Sequence, residues 1–131
     1  MENYSTTLLR FSALFAVVGA FIGSHMAGSM EYQFKSIHAH ILVVGWLTLF
    51  AWAVFYKVFY RVKSKLATAH VWTGIIGTFG LTTGMWVYFV RPFELPSGFV
   101  TVYFIVGGTT LLVSFVLFFL LTLSNFNEKN V

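Results

Sequence analysis

Two histidines separated by one residue, His38 and His40, lie at the start of an apolar run that continues to Tyr60. Ionisable side chains are rare inside membrane-spanning segments and commonly mark functional sites there. Because each residue of an α-helix turns the chain by about 100°, the two imidazoles are expected to point to nearly opposite sides of one helix. The pair therefore predicts one imidazole ligand for each of two different sites.

A third imidazole, His25, is expected at the same level, near the end of the preceding apolar run. Neutral imidazole binds iron, copper and zinc well. The opposed directions of His38 and His40 disfavour one shared ion, whereas haem iron accepts one imidazole on each face of a planar ring. We therefore predict His25, His38 and His40 as metal ligands and haem as the cofactor. His25 and either member of the pair would be the axial ligands.

Arg91 and His70 are the other two residues whose chemistry could serve a cofactor. Arg91, at the end of the third apolar run, is expected level with the three histidines. A guanidinium is well shaped to bind the carboxylates of the haem propionates, so Arg91 is included among the cofactor-binding residues. His70 follows a basic loop at the opposite side of the membrane, roughly 25–30 Å away at 1.5 Å per residue. It is interpreted as an interfacial residue outside the cluster.

The elements that must position these residues are membrane helices. Of the 131 residues, 58% are hydrophobic and 9% are charged, whereas a soluble domain carries about a quarter charged residues. Four apolar runs, at about 8–28, 36–60, 67–90 and 99–123, reach the roughly 20 residues that a bilayer crossing needs. Short connections then predict an all-α fold, an up-and-down four-helix bundle forming a single domain over 1–131.

The lack of cysteine excludes several kinds of metal site, and the glycines indicate how the helices pack. Without cysteine the chain has no disulfide, no iron–sulfur cluster and no thiolate copper site. Glycines at positions 74, 77, 80 and 84, and at 19 and 23, form stripes that predict tight helix packing.

Basic residues predict the orientation. Lys35 and Arg91 fall on one side of the membrane, and the other side carries Arg10, Lys57, Arg61, Lys63, Lys65 and Lys129. The positive-inside rule then places both termini in the cytoplasm and the three clustered histidines near the outer face. The basic residues behind the net charge of +4 cluster at the ends of the predicted spans, so the charge does not indicate nucleic-acid binding.

The string His38-Ala39-His40 followed by Gly45-Trp46 resembles a helix of haem-copper oxidase subunit I, where a His-x-His helix ligates two haems. His70 with Trp72 is similar to the start of the next helix in that family. The chain is more similar still to the small four-span proteins described as cytochrome c oxidase subunit I-like. The likeness spans roughly residues 36–120, and it implies that Arg91 contacts the propionates.

A full subunit I has about twelve spans and a three-histidine copper site, so the resemblance implies only its haem-holding part and no complete terminal oxidase. We therefore expect a membrane haem b protein for electron transfer or O2/NO binding, in a bacterial cytoplasmic membrane. Its expected partners are further copies of the chain and a quinol or respiratory electron donor. Whether the chain is an enzyme is left open.

The same residues are compatible with two alternative functions. One is a copper-handling protein that uses His25, Met26, Met30, His38 and His40. The other is an accessory or assembly subunit of a respiratory oxidase, in which the histidines are structural.

Overall fold

The computed structural model describes residues 3–124, which fold into four helices. They are α1 (Tyr4–Ser29), α2 (Lys35–Val58), α3 (Lys65–Val90) and α4 (Ser97–Leu123). Each is long and apolar enough to cross a membrane, and the described residues contain no strand. The predicted all-α four-helix bundle is confirmed. Lys129, which was used to predict the orientation, lies outside the described residues.

Local sequence signals determine where the helices begin and end. The side chain of Asn3 accepts a hydrogen bond from the Ser5 N–H, and the hydroxyl of Ser64 accepts one from the Ala67 N–H. Both satisfy a main-chain donor that the first helical turn leaves without a partner. Pro96 precedes α4, and its fixed φ suits the entry to a helix.

Two helices depart from regular α geometry near the predicted site. In α2, residues Ile41–Thr48 are π-helical, and they directly follow His40. In α3, residues Trp86–Val90 are π-helical, and they directly precede Arg91. Such wide turns are rare and occur frequently at functional sites. A rotation of 100° per residue therefore cannot be extended from the histidines down α2.

Helices α3 and α4 pack with their main chains in contact. A Cβ added at Gly77 would lie 2.5 Å from the Leu111 nitrogen, and one added at Gly107 would overlap the main chain of Gly80. Contacts of this kind are possible only where both surfaces are small. The predicted role of the glycine stripe in tight helix packing is confirmed.

Helices α1 and α2 form the second close pair, also through glycine. A Cβ at Gly19 would lie 2.5 Å from the Leu42 side chain, and one at Gly45 would lie 2.5 Å from the Phe15 ring. Both glycines are therefore needed for helix contact, and no room for a flat cofactor remains between α1 and α2 at these positions.

The two ends of the bundle differ in chemistry. We call the end that holds His25, His38, His40 and Arg91 the histidine end. The opposite end, which holds Arg10, Lys57, Arg61, Lys63 and Lys65, is called the basic end. The separation of the residue types predicted from the sequence is thus found in the fold.

Candidate functional site

His38 binds helix α1 rather than extending freely from α2. Its Nδ1 lies 2.7 Å from the main-chain oxygen of Gly19. The ring also covers Gly23, where an added Cβ would lie 2.7 Å from the imidazole Cε1. The side chain is half-buried. His38 therefore joins α1 to α2 at the histidine end, over a helix surface that only glycine leaves open.

His40 makes the corresponding bond within its own helix. Its Nδ1 lies 2.8 Å from the main-chain oxygen of Ser36, one turn earlier in α2. Like His38, it is half-buried. Residues 38 and 40 both belong to the regular α-helical segment Lys35–His40, so they diverge by about 200° around the helix. The predicted opposition of the two imidazoles holds in this segment.

The hydrogen bonds of the pair identify the nitrogen that remains available in each ring. A carbonyl oxygen can only accept, so each Nδ1 must carry the hydrogen and donate it. In a neutral imidazole the lone pair then resides on Nε2. Neither Nε2 has a hydrogen-bond partner among residues 3–124. This is the arrangement in which metal-binding histidines are held, with one ring nitrogen donating to a carbonyl and the other free to ligate.

His25 is exposed on α1 and does not join the other two in a single site. Gly23 faces His38, and His25 follows two residues later, about 200° further around the helix. Over residues 3–124, no group of three or more histidine, cysteine, aspartate or glutamate side chains is arranged to hold one metal ion. The three imidazoles of one chain therefore lie at the same end of the bundle but do not point to a common metal position.

Arg91 occupies the first position after α3 with left-handed backbone angles, φ 51° and ψ 56°. A side chain with a β-carbon adopts this conformation at a cost, which is commonly accepted where a helix ends. The residue is exposed, and its guanidinium makes no ion pair or hydrogen bond within the described part of the chain. It is thus free to bind a carboxylate at the histidine end.

A groove of about 270 Å³ lies at the same end between α1 and α3. Its walls are almost entirely apolar, with Phe15 and Ile22 on one side and Phe79 and Trp86 on the other. Residues Ile37 and Ile41 of α2 also line it, but neither histidine of the pair does. The groove therefore does not provide a ligated cofactor site within one chain.

His70 lies at the basic end, away from the three other histidines, as predicted, but it is fully buried in the bundle rather than exposed at the membrane interface. Its Nδ1 lies 2.7 Å from the Tyr56 hydroxyl, and its ring centroid lies 4.4 Å from that of Trp52 in an edge-to-face contact. Phe118 of α4 packs on it as well, at 5.5 Å. The Nε2 of His70 is buried without a hydrogen-bond partner.

The aromatic environment of His70 explains its burial. Helix α2 contributes Trp52 and Tyr56, and Ser114 of α4 donates a hydrogen bond to the main-chain oxygen of His70 at 3.0 Å. A Cβ at Gly74 would meet both Trp52 and the Ser114 hydroxyl. The surroundings are therefore densely packed, and His70 connects α2, α3 and α4. The short connection between α2 and α3 brings Tyr56 and His70 to the same end of the bundle, but their contact follows from how the helices pack.

The chain matches no family model, no curated protein and no solved structure. The likeness of its His-x-His helix to haem-copper oxidases therefore stays a prediction from the motif.

Proposed function

We propose that this chain is a membrane haem protein whose imidazoles at the histidine end ligate the iron, serving electron transfer or the binding of a diatomic gas. One observation carries the proposal. Both imidazoles of the pair donate Nδ1–H to a main-chain oxygen, which leaves each Nε2 without a hydrogen bond, and that of His40 does not face the packed surface of α1.

His40 is the primary ligand in this proposal. His38 is pressed against Gly23, and the tight contact of α1 with α2 leaves no room there for a porphyrin. His40 is bonded only within its own helix, so its Nε2 can be approached from the side of the bundle. The haem would accordingly lie on the lateral surface of the chain.

A haem on the lateral surface would need its second imidazole from another molecule, because no other histidine among residues 3–124 of the same chain lies on that side. His25 is exposed at the same end but on another side of the chain. In a homo-oligomer, His25 or His40 of a neighbouring copy would supply the second imidazole that holds the iron. This gives the exposed His25 of α1 and the half-buried His40 of α2 a use that one chain alone does not provide.

Arg91 has the chemistry to neutralise the propionates. It is exposed at the histidine end and has no carboxylate partner in the described part of the chain. Its main chain is fixed at the end of α3, which limits the region that the guanidinium can reach. A charge-assisted pair with a propionate would orient the haem edge toward this end of the bundle.

The number of imidazoles that bind the iron would decide between electron transfer and gas binding. Bound haem supplies a one-electron couple or an iron position for O2 or NO. Two imidazole ligands would restrict the site to electron transfer, whereas His40 alone would leave a position open. By the positive-inside rule the site would lie at the outer face, where a quinol or an extracytoplasmic donor can reach it.

The test begins with the absorption spectrum of the full chain, purified in detergent after expression with haem supply. We expect a Soret band and split visible bands on reduction. Addition of CO to the reduced protein separates the two modes, because only an open iron position changes its spectrum. Colourless protein that retains copper would overturn the proposal in favour of copper handling. Colourless protein that retains neither would overturn it as well.

A further inference from the structure

The basic end contains a cavity that is separate from the histidine end. A cavity of about 360 Å³ opens there between the start of α1, the end of α2 and the connection 59–64. Three tyrosines and three cations account for most of its lining: Tyr4, Tyr56, Tyr60, Lys57, Arg61 and Lys63. We call this cavity the basic pocket. Its composition, with three cations beside three aromatic rings, is suited to an anion.

The wall of the basic pocket is fixed by hydrogen bonds. The Tyr4 hydroxyl lies 2.7 Å from that of Thr68, and the Tyr60 hydroxyl lies 2.9 Å from that of Ser64. The third tyrosine, Tyr56, is bound to His70 in the core. Each ring is thereby tied to the first turns of α3. The pocket is thus preorganised, which lowers the entropic cost of ligand binding.

The cations of the basic pocket have no carboxylate partner in residues 3–124. The only acidic residues in that part of the chain, Glu31 and Glu94, both lie at the histidine end. The basic end carries more cations than the two remaining glutamates of the sequence could neutralise. Positive charge is therefore in excess around the cavity.

A hydrogen bond of Arg61 and the start of α3 concentrate this positive charge near the cavity. The Arg61 Nε donates to the main-chain oxygen of Lys57 at 3.1 Å, which holds the guanidinium over the end of α2 and leaves its terminal nitrogens free to bind. A second, shallower cavity shares Lys63 with the basic pocket and extends to Lys65 at the start of α3. The positive end of that helix dipole adds to the field of the side chains.

We propose that the basic pocket binds a phosphate-bearing anion. Guanidinium and ammonium groups that converge at the rim of a rigid pocket bind phosphate through charge-assisted hydrogen bonds. Basic pockets between membrane helices on the cytoplasmic side bind phosphate-bearing lipid headgroups in general. The positive-inside rule assigns the basic end to that side. The same chemistry would also accept a soluble phosphate, and the experiment separates these two sources.

The test uses the full chain in detergent. Native mass spectrometry measures binding of phosphatidylglycerol, with zwitterionic phosphatidylcholine as the reference lipid. Thermal unfolding with inorganic phosphate measures the soluble anion. The variant is Lys63→Gln, and the matched control is Lys35→Gln, since both lysines are exposed and lie at opposite ends. The melting temperature of each variant without ligand shows that the fold is retained.

We expect one phosphatidylglycerol per chain, bound more tightly than phosphatidylcholine, with affinity lowered about fivefold by Lys63→Gln and unchanged by Lys35→Gln. That result identifies a lipid headgroup as the ligand. Stabilisation by inorganic phosphate that Lys63→Gln removes identifies a soluble phosphate instead. Equal binding of both lipids without any effect of phosphate overturns the proposal. An equal loss in the two variants also overturns it, because generic surface charge then explains the binding.

Discussion

The contact between Gly23 and His38 gives the sharpest test of how the histidine end is built. In a Gly23→Ala variant the new Cβ would lie 2.7 Å from the imidazole Cε1, where ordinary contact begins at 3.4 Å. The ring must therefore move by about 0.7 Å, which breaks the 2.7 Å hydrogen bond from Nδ1 to the Gly19 oxygen.

The magnitude follows from three contributions. Overpacking costs about 1–3 kcal/mol, and the lost hydrogen bond costs about 1 kcal/mol. Alanine in place of glycine within a helix returns about 1 kcal/mol. We therefore expect a destabilisation of about 1–3 kcal/mol for Gly23→Ala. The free energy of unfolding can be measured by titration with SDS in mixed micelles.

Gly28→Ala is the matched control, because it lies in the same helix and an added Cβ there would meet nothing within 4 Å. It should be neutral or slightly stabilising. If Gly23→Ala proved as stable as Gly28→Ala, the contact of His38 with α1 would be refuted. The haem content of Gly23→Ala should stay at the wild-type level, since His40 is bonded independently of α1.

Three further changes test other contacts. Gly107→Ala should destabilise the protein by about 1–3 kcal/mol in the same SDS titration, because two main chains must separate, whereas Gly98→Ala has open space and should be neutral. Equal effects would contradict the packing of α3 on α4. Tyr56→Phe should cost about 1–3 kcal/mol by leaving both nitrogens of His70 unpartnered, and much less in a His70→Leu background. A double-mutant cycle without coupling would contradict that pairing. Arg91→Gln should weaken haem retention about tenfold or more in a transfer assay to apomyoglobin, since a charge-assisted bond is lost. Unchanged retention would exclude a propionate contact.

The overall fold could be predicted because membrane helices follow simple rules. Apolar runs of about 20 residues give the spans, and short connections give their order. The observed bounds differ from the predicted ones by no more than four residues at any end. The glycine stripes predicted close packing correctly, because a helix surface without side chains lets a neighbouring helix approach closely.

The details of the site were less predictable, because they depend on which surfaces meet. The burial of His70 results from contacts with Trp52 of α2 and Phe118 of α4, and no local pattern around His70 encodes them. The π-helical turns after His40 and before Arg91 have no reliable sequence signal. The spacing Gly19/Gly23 was visible in the sequence, but its partner, His38, could be identified only from the pairing of α1 with α2.

The most direct test of the central claim is the number of haems bound per chain, measured by pyridine haemochrome together with protein quantification. The wild-type chain should retain haem b in a fixed ratio, and His40→Ala should lose most of it. Ser36→Ala is the control, because it alters an exposed side chain one turn away and keeps the main-chain oxygen that His40 binds. Haem retained in full by His40→Ala would contradict the assignment of His40 as the primary ligand. A wild-type chain that retained no haem would contradict the proposed function itself.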